Sequence, residues 1–162
     1  MLGLRFDEVM VGTHRFTGND MDQGDHPFHF SLTWGHKNLL KFLNPFSREF
    51  LMSEARGVIT VGGLVDKADC RGRLRMLYFS EGKIRYELTF KDHRETPFRY
   101  VGEKRHIRPW NLHKTHFTCY GKVTNLNTGE VVSTSVVYFP YRETIPFLLS
   151  FRLTWGGVYN HT

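Results

Sequence analysis

Polar and apolar side chains alternate along much of this chain with a period of two residues. In KIRYELTF, residues 83–90, apolar side chains at every second position are separated by polar ones. Successive side chains of a β-strand point to opposite faces, so this pattern predicts a strand with one buried and one solvated face. The alternation recurs in HPFHFSLTW, residues 26–34, and in CRGRLRMLYF, residues 70–79. The pattern therefore predicts a mainly β protein.

Short turn signals separate these strands. SEGK at 80–83, KDHRETP at 91–97 and NLNTGE at 125–130 each join two strand-like segments. Asn and Gly supply the left-handed backbone conformations that tight hairpins use. Consecutive strands joined by tight turns form an antiparallel meander.

One segment, about 36–54, has helical rather than alternating periodicity. Leu39, Leu40 and Leu43 stand at helical spacing, and Pro45 ends that run. Phe46 and Phe50, four residues apart, predict a second helical turn. Near the C-terminus, residues 141–157 predict a last strand that follows a bend at a proline.

The predicted order is two strands, a short helical segment, and then six or seven strands within a single domain, residues 1–162. A meander closed into a lipocalin-like β-barrel, with the helical segment over one end, pairs every barrel strand on both sides. A β-sandwich is the alternative architecture.

Composition narrows the cellular setting. No stretch approaches the roughly 20 apolar residues that a membrane span needs. Arg5, Asp7 and Glu8 stand where a signal peptide would have its apolar core, so we expect a cytoplasmic protein. The two cysteines, Cys70 and Cys119, are too few for a disulfide framework and are expected to be buried free thiols.

The formal charge of +6 is concentrated in one window. Residues 99–116 contain five Lys or Arg side chains and one acid, which predicts a local electropositive patch. Those five cations are Arg99, Lys104, Arg105, Arg108 and Lys114.

Three strings resemble a known family: ARGVITVGGL at 55–64, KIRYELTFKDHRETPFRYVGEKR at 83–105 and FLLSFRLTWGG at 147–157. They are similar to the β-rich domain that accompanies bacterial flavin oxidoreductases of the glucose-methanol-choline (cholesterol oxidase-like) type. The resemblance implies a lipocalin-like barrel beside lipid or sterol chemistry, with a flavin oxidoreductase as partner. The chain has no GxGxxG motif after a strand, so we expect no flavin or other cofactor on it. It also departs from the family after Arg105, where HIRPWNLHKTH replaces an acidic stretch.

The segment KRHIRPWNLHKTHFTCYG, residues 104–121, concentrates groups that bind metals or perform catalysis. His113 and His116 have a spacing that zinc tolerates, but residues three apart on a strand, such as His116 and Cys119, face opposite ways. A buried strand cysteine is usually inert, and no G-x-S-x-G motif is present. We therefore predict neither a metal site nor a catalytic residue, and place this segment at a barrel mouth.

Bulky aromatic side chains at inward positions favour a non-catalytic binding module for a lipid-like or sterol-like molecule. These positions are Phe28, Phe30, Trp34, Tyr78, Tyr86, Phe90 and Phe117. Polar aromatic and histidine side chains would orient the ligand, and Arg105 or Lys114 would bind an anionic head group. The predicted ligand-binding residues are Trp34, Tyr86, Arg105, His106, Trp110, His113, Lys114, His116 and Tyr120. An enzyme acting on such a ligand and a barrel that binds single-stranded nucleic acid are the alternatives, the latter disfavoured by interspersed acidic residues.

Overall fold

The computed structural model of the protein describes residues 1–19, 23–77, 79–105 and 118–155, except the side chain of Tyr141. The strands in this part of the chain are β1 (Leu2–Phe16), β2 (His26–His36), β3 (Met52–Val61), β4 (Val65–Leu77), β5 (Lys83–Lys91), β6 (Pro97–Lys104), β7 (Thr118–Asn125), β8 (Val131–Tyr138) and β9 (Arg152–Trp155). The helices are α1 (Leu39–Leu43), α2 (Thr144–Leu149) and a 3-10 turn at Tyr141–Glu143.

Strand β1 closes the barrel because it pairs with a neighbour on each side. The hydrogen-bonded order is β2-β3-β4-β5-β6-β7-β8-β1, and β1 pairs with β2 as well. Residues 4–14 of β1 pair with β2 and residues 11–16 with β8, both antiparallel. The start of β1, residues 2–5, carries β9 as an added strand. The predicted closed antiparallel barrel is confirmed, and the sandwich alternative is wrong.

The period-two pattern identified the inward side chains correctly wherever the structure describes them. Those predicted inward positions that are described and buried are Phe28, Phe30, Trp34, Tyr86 and Phe90. Tyr78 and Phe117 lie outside the described residues. Hydrophobic side chains on the inner face of the strands thus form one core that fills the middle of the barrel.

The helical segment is shorter than predicted. Asn38 caps α1, because its Oδ1 accepts hydrogen bonds from the backbone N–H groups of Leu40 and Lys41. The helix ends at Leu43, and residues 45–51 form turns in place of the predicted second helical turn. Polar side chains explain this difference, because the side chains of Asn44 and Ser47 accept hydrogen bonds from backbone N–H groups two residues ahead.

A short helix, α2, occupies the place where a bend before the last strand was predicted. Pro146 lies in its first turn, where a missing N–H removes no intrahelical hydrogen bond. The predicted last strand follows as β9.

The end of the barrel at which β1 finishes is closed by packed rings. His14 and Phe16 of β1 pack against His26 and Phe28 of β2. A carbonyl oxygen only accepts, so His14 donates from Nε2 to Gly62 O and accepts at Nδ1 from the Ser133 hydroxyl, both at 2.8 Å. Burial lowers the pKa of His14, which keeps this ring neutral at pH 7.

Candidate ligand-binding site

An apolar cavity of about 590 Å³ occupies the opposite end of the barrel. It lies where β1 and β5 begin and where β4 and β6 end. The strands contribute apolar side chains to its wall, among them Leu4, Phe6, Leu74, Met76 and Ile84. Its volume falls within the range of roughly 300–1,000 Å³ that ligand-binding pockets span.

The segments around α1 and α2 border the cavity on two sides. Leu51 has a φ of 51°, in the left-handed region, and lines the cavity, as does Phe42. Its backbone N–H donates to Phe42 O at 2.9 Å and its carbonyl accepts from Met76 N at 3.0 Å, which fixes this segment to β4. Leu148 and Phe151 line the other side while remaining 61% and 44% exposed, so the mouth lies beside them.

Three polar side chains meet at the floor of the cavity: Glu8 from β1, Tyr86 from β5 and Lys104 from β6. Glu8 Oε1 accepts from the Tyr86 hydroxyl at 2.8 Å and from Lys104 Nζ at 2.9 Å. Glu8 Oε2 accepts from Trp34 Nε1 at 3.0 Å. These four residues are called the Glu8 cluster below. The indole N–H of Trp34, the hydroxyl of Tyr86 and the ammonium group of Lys104 therefore all donate to one carboxylate.

The Glu8–Lys104 ion pair is almost fully desolvated, with side-chain exposures of 6% and 7%. Burial, and then the negative charge of Glu8, raise the pKa of Tyr86 well above its ordinary value. The phenol therefore keeps its proton and donates a hydrogen bond to the carboxylate. Lys104 Nζ also lies 5.1 Å from the centre of the Tyr86 ring, within the range of a cation–π interaction.

Sequence reasoning missed Glu8 and Lys104 as site residues, although the alternation contained a signal for both. Glu8 stands two residues after Phe6 and two before Met10, at a position whose neighbours on the same face are apolar. Lys104 continues the inward series of Tyr100 and Gly102 on β6. Two opposite charges at inward strand positions predict a buried pair, because an isolated charge is too costly to bury.

The predicted site residues separate into three groups. Trp34 and Tyr86 meet in the Glu8 cluster, with ring centres 5.4 Å apart. His106, Trp110, His113, Lys114 and His116 lie outside the described residues. Arg105 and Tyr120 line a separate groove of about 520 Å³ on the outer wall of β6, β7 and β8.

Acidic partners offset part of the predicted electropositive window. Lys104 faces the barrel interior and pairs with Glu8. Arg105 Nε lies 3.1 Å from Glu103 Oε2 in an exposed ion pair. Arg108 and Lys114 lie outside the described residues. Lys104 therefore cannot contribute to an outer phosphate-binding surface, and the charge of Arg105 is partly neutralised.

Cys119 packs against Tyr100, with its Sγ 3.4 Å from the phenol oxygen. The Tyr100 side chain lies over Gly102 and Gly121, where a Cβ atom would come within 2.3 Å of its hydroxyl oxygen and 2.2 Å of its ring, respectively. Burial raises the pKa of Cys119 to about 11 and that of Cys70 to about 12. Both thiols are therefore protonated at neutral pH, as expected of structural cysteines rather than nucleophiles.

We expect iodoacetamide at pH 8 to alkylate Cys70 and Cys119 in the folded protein roughly a hundredfold or more slowly than free cysteine, because only the thiolate reacts. Intact-mass spectrometry would show no adduct in native buffer and two adducts in guanidinium chloride. A Thr134→Cys variant is the control, since this exposed outward position of β8 should be alkylated at once. Rapid native alkylation of Cys119 would contradict the structural role.

Within the described ranges, no group of three or more His, Cys, Asp or Glu side chains could hold a metal ion. Nor does any helix described here have both the length and the apolar character to cross a membrane. No family profile, curated protein or solved structure matches this chain.

Proposed function

We propose that this protein binds one apolar small molecule, lipid-like or sterol-like, in the cavity of the barrel, without covalent chemistry. The observation that carries the proposal is the contrast between an apolar wall and the polar cluster at its floor. Burial of apolar surface would supply the affinity, and the polar floor would fix the orientation.

The charge of the floor favours a ligand with a neutral oxygen. Glu8 and Lys104 compensate one another, so a ligand carboxylate would add a buried negative charge close to Glu8. A hydroxyl or carbonyl oxygen approaching Tyr86 and Lys104 carries no such cost. The anionic head group inferred from Arg105 loses support, because Arg105 lines the outer groove instead.

An enzyme acting on the same ligand is the second candidate, favoured by the contact between a carboxylate, a phenol and an ammonium group in one cavity. Binding is preferred because both oxygens of Glu8 already accept hydrogen bonds from protein donors. The carboxylate thus holds Trp34, Tyr86 and Lys104 in place. Partnership with a flavin oxidoreductase, implied by the family resemblance, forms part of the proposal: such an enzyme would supply or consume the ligand.

The first test is native mass spectrometry of protein purified from its host, where a bound apolar molecule is expected. The delipidated protein should then take up the neutral apolar dye Nile red, with a rise in dye fluorescence. Conversion of the bound molecule to a product of different mass would favour the enzyme candidate.

Filling the cavity should abolish binding without unfolding the barrel. Met76→Trp places an indole in the cavity from a partly exposed position of β4, and we expect it to reduce dye affinity about tenfold or more. Arg75→Trp introduces the same side chain one position earlier, where it faces outward, and should bind normally. Circular dichroism melting curves show whether both variants fold. Equal binding by two folded variants, or no uptake by the parent protein, would refute the proposal.

A further inference from the structure

Large apolar side chains are exposed on both segments that border the cavity, which are α1 with the turn after it and α2. They are Leu40, Leu43, Phe46, Ile145, Leu148 and Leu149, between 57% and 95% exposed. The first three belong to α1 and the turn after it, and the last three to α2. Isolated exposed apolar residues are common on any protein, whereas a concentration on the two segments that border one cavity indicates an interaction surface. These six side chains are called the apolar rim below.

Cations accompany the apolar rim. Residues 37–51 and 142–155, which carry it, contain five Lys or Arg side chains and two acids. All five cations are exposed: Lys37, Lys41, Arg48, Arg142 and Arg152. Lys41 pairs with Glu49 at 3.1 Å, and the excess of positive charge remains. Exposed apolar side chains beside cations are the combination that inserts into the interface of an anionic bilayer.

We infer that the apolar rim docks this protein on the surface of a membrane that contains anionic lipid, with the cavity mouth facing the bilayer. A membrane fits the rim better than a protein partner does, because the exposed groups are large aliphatic and aromatic side chains on short helices and a turn, and the cations beside them outnumber the acids. The docked orientation would allow an apolar ligand to pass between bilayer and cavity without crossing water. The exchange of a ligand with the bilayer rests on the proposed function, whereas the docking itself does not.

Vesicle sedimentation tests the docking directly. The protein should sediment with vesicles of phosphatidylcholine and phosphatidylglycerol, and much less with vesicles of phosphatidylcholine alone. Binding should weaken at high salt, because screening reduces the attraction between the cations and the lipid phosphates. Replacing Arg48 and Arg142 with alanine should reduce binding to the anionic vesicles and leave the small residual binding to neutral ones.

A double variant separates the rim from the cavity. Phe46→Glu with Leu149→Glu changes two exposed rim residues that do not line the cavity. We expect it to lower vesicle affinity roughly tenfold or more, because each change removes an apolar anchor and adds a charge that anionic lipid repels. The matched control is Leu126→Glu with Val131→Glu, at the β7–β8 hairpin on the opposite end of the barrel, where the two residues are 38% and 40% exposed. This control should bind vesicles normally.

The two proposals fail in different ways. Nile red uptake by the Phe46→Glu, Leu149→Glu variant should equal that of the parent. If the parent binds anionic vesicles but takes up no dye, the proposed cavity ligand is refuted and the membrane docking is not. The docking inference is overturned if the parent protein does not sediment with anionic vesicles, or if rim and control variants bind equally. It is also overturned if size-exclusion chromatography shows the parent to be a dimer that the rim variant dissolves, since the rim is then a contact between two copies.

Discussion

Replacing Glu8 with alanine is expected to lower the free energy of unfolding by about 3–5 kcal/mol, because it removes one partner of a buried ion pair. The pair is desolvated on both sides, and the phenol of Tyr86 and the indole N–H of Trp34 lose the same acceptor. Chemical denaturation followed by tryptophan fluorescence would measure the loss.

Further variants separate charge from shape in the Glu8 cluster. Glu8→Gln keeps a carbonyl acceptor and removes the negative charge. It should therefore be less damaging than alanine to the Tyr86 and Trp34 contacts, while still removing the ion pair with Lys104. The double change Glu8→Leu with Lys104→Met should recover most of the stability, because an apolar pair of similar volume often replaces a buried ion pair without loss.

Asp7→Ala is the matched control for Glu8. Asp7 is the adjacent residue on the outward face of β1, and its carboxylate accepts a hydrogen bond from Thr33 at the surface, at 2.7 Å. Its removal should cost about 0.5 kcal/mol or less, as for most surface changes. A loss of similar size for Glu8→Ala would show that water reaches Lys104 and that the buried pair is not essential to the barrel.

Replacing Gly12 with alanine should destabilise the protein by about 3 kcal/mol, at the upper end of the cost of overpacking. Gly12 lies where β1 is paired on both sides, opposite Phe28 of β2 and Val137 of β8. A Cβ atom there would come within 2.0 Å of Val136 O and 2.7 Å of Val137 Cα. Backbone atoms cannot rotate away as a side chain can, so β1 and β8 must separate at the seam that closes the barrel.

Gly129→Ala provides the comparison for Gly12. Gly129 lies in the β7–β8 turn with a φ of 76°, and a Cβ atom there meets nothing within 4 Å. Its cost should be only the roughly 1–2 kcal/mol of a left-handed alanine. Hydrogen exchange should show faster opening of β8 in the Gly12 variant only. Equal losses for the two variants would mean that the β1–β8 seam relaxes freely.

The strands were predictable because their signal is local. Apolar residues at every second position, as in Ile84, Tyr86 and Leu88, determine which face of a strand is buried before its partners are known. The prediction of helix after α1 is wrong because the side chains of Asn44 and Ser47 accept local backbone hydrogen bonds, which favour a turn although Phe46 and Phe50 stand at helical spacing. The spacing of apolar residues does not show where side-chain hydrogen bonds to the backbone compete with helix formation.

The floor of the cavity was predicted only in part. The inward positions of Trp34 and Tyr86 identify these side chains from the sequence, whereas Glu8 indicates there only that the N-terminus is not a signal peptide. In the sequence, Lys104 indicates only part of an electropositive patch. Both errors have one cause: a charged side chain looks solvent-exposed until its partner is known, and the two residues are 96 positions apart.

By itself, the sequence determined the β class, the meander and the inward positions of strands with clear alternation, such as β2 and β5, since all of these follow from periodicity and turn residues. The tertiary structure alone decided that β1 closes the barrel on both sides, that Glu8 and Lys104 meet, and that one barrel end is packed while the other keeps a cavity. These features depend on strand register and on the volumes of side chains brought together from distant segments. No short stretch of sequence contains that information.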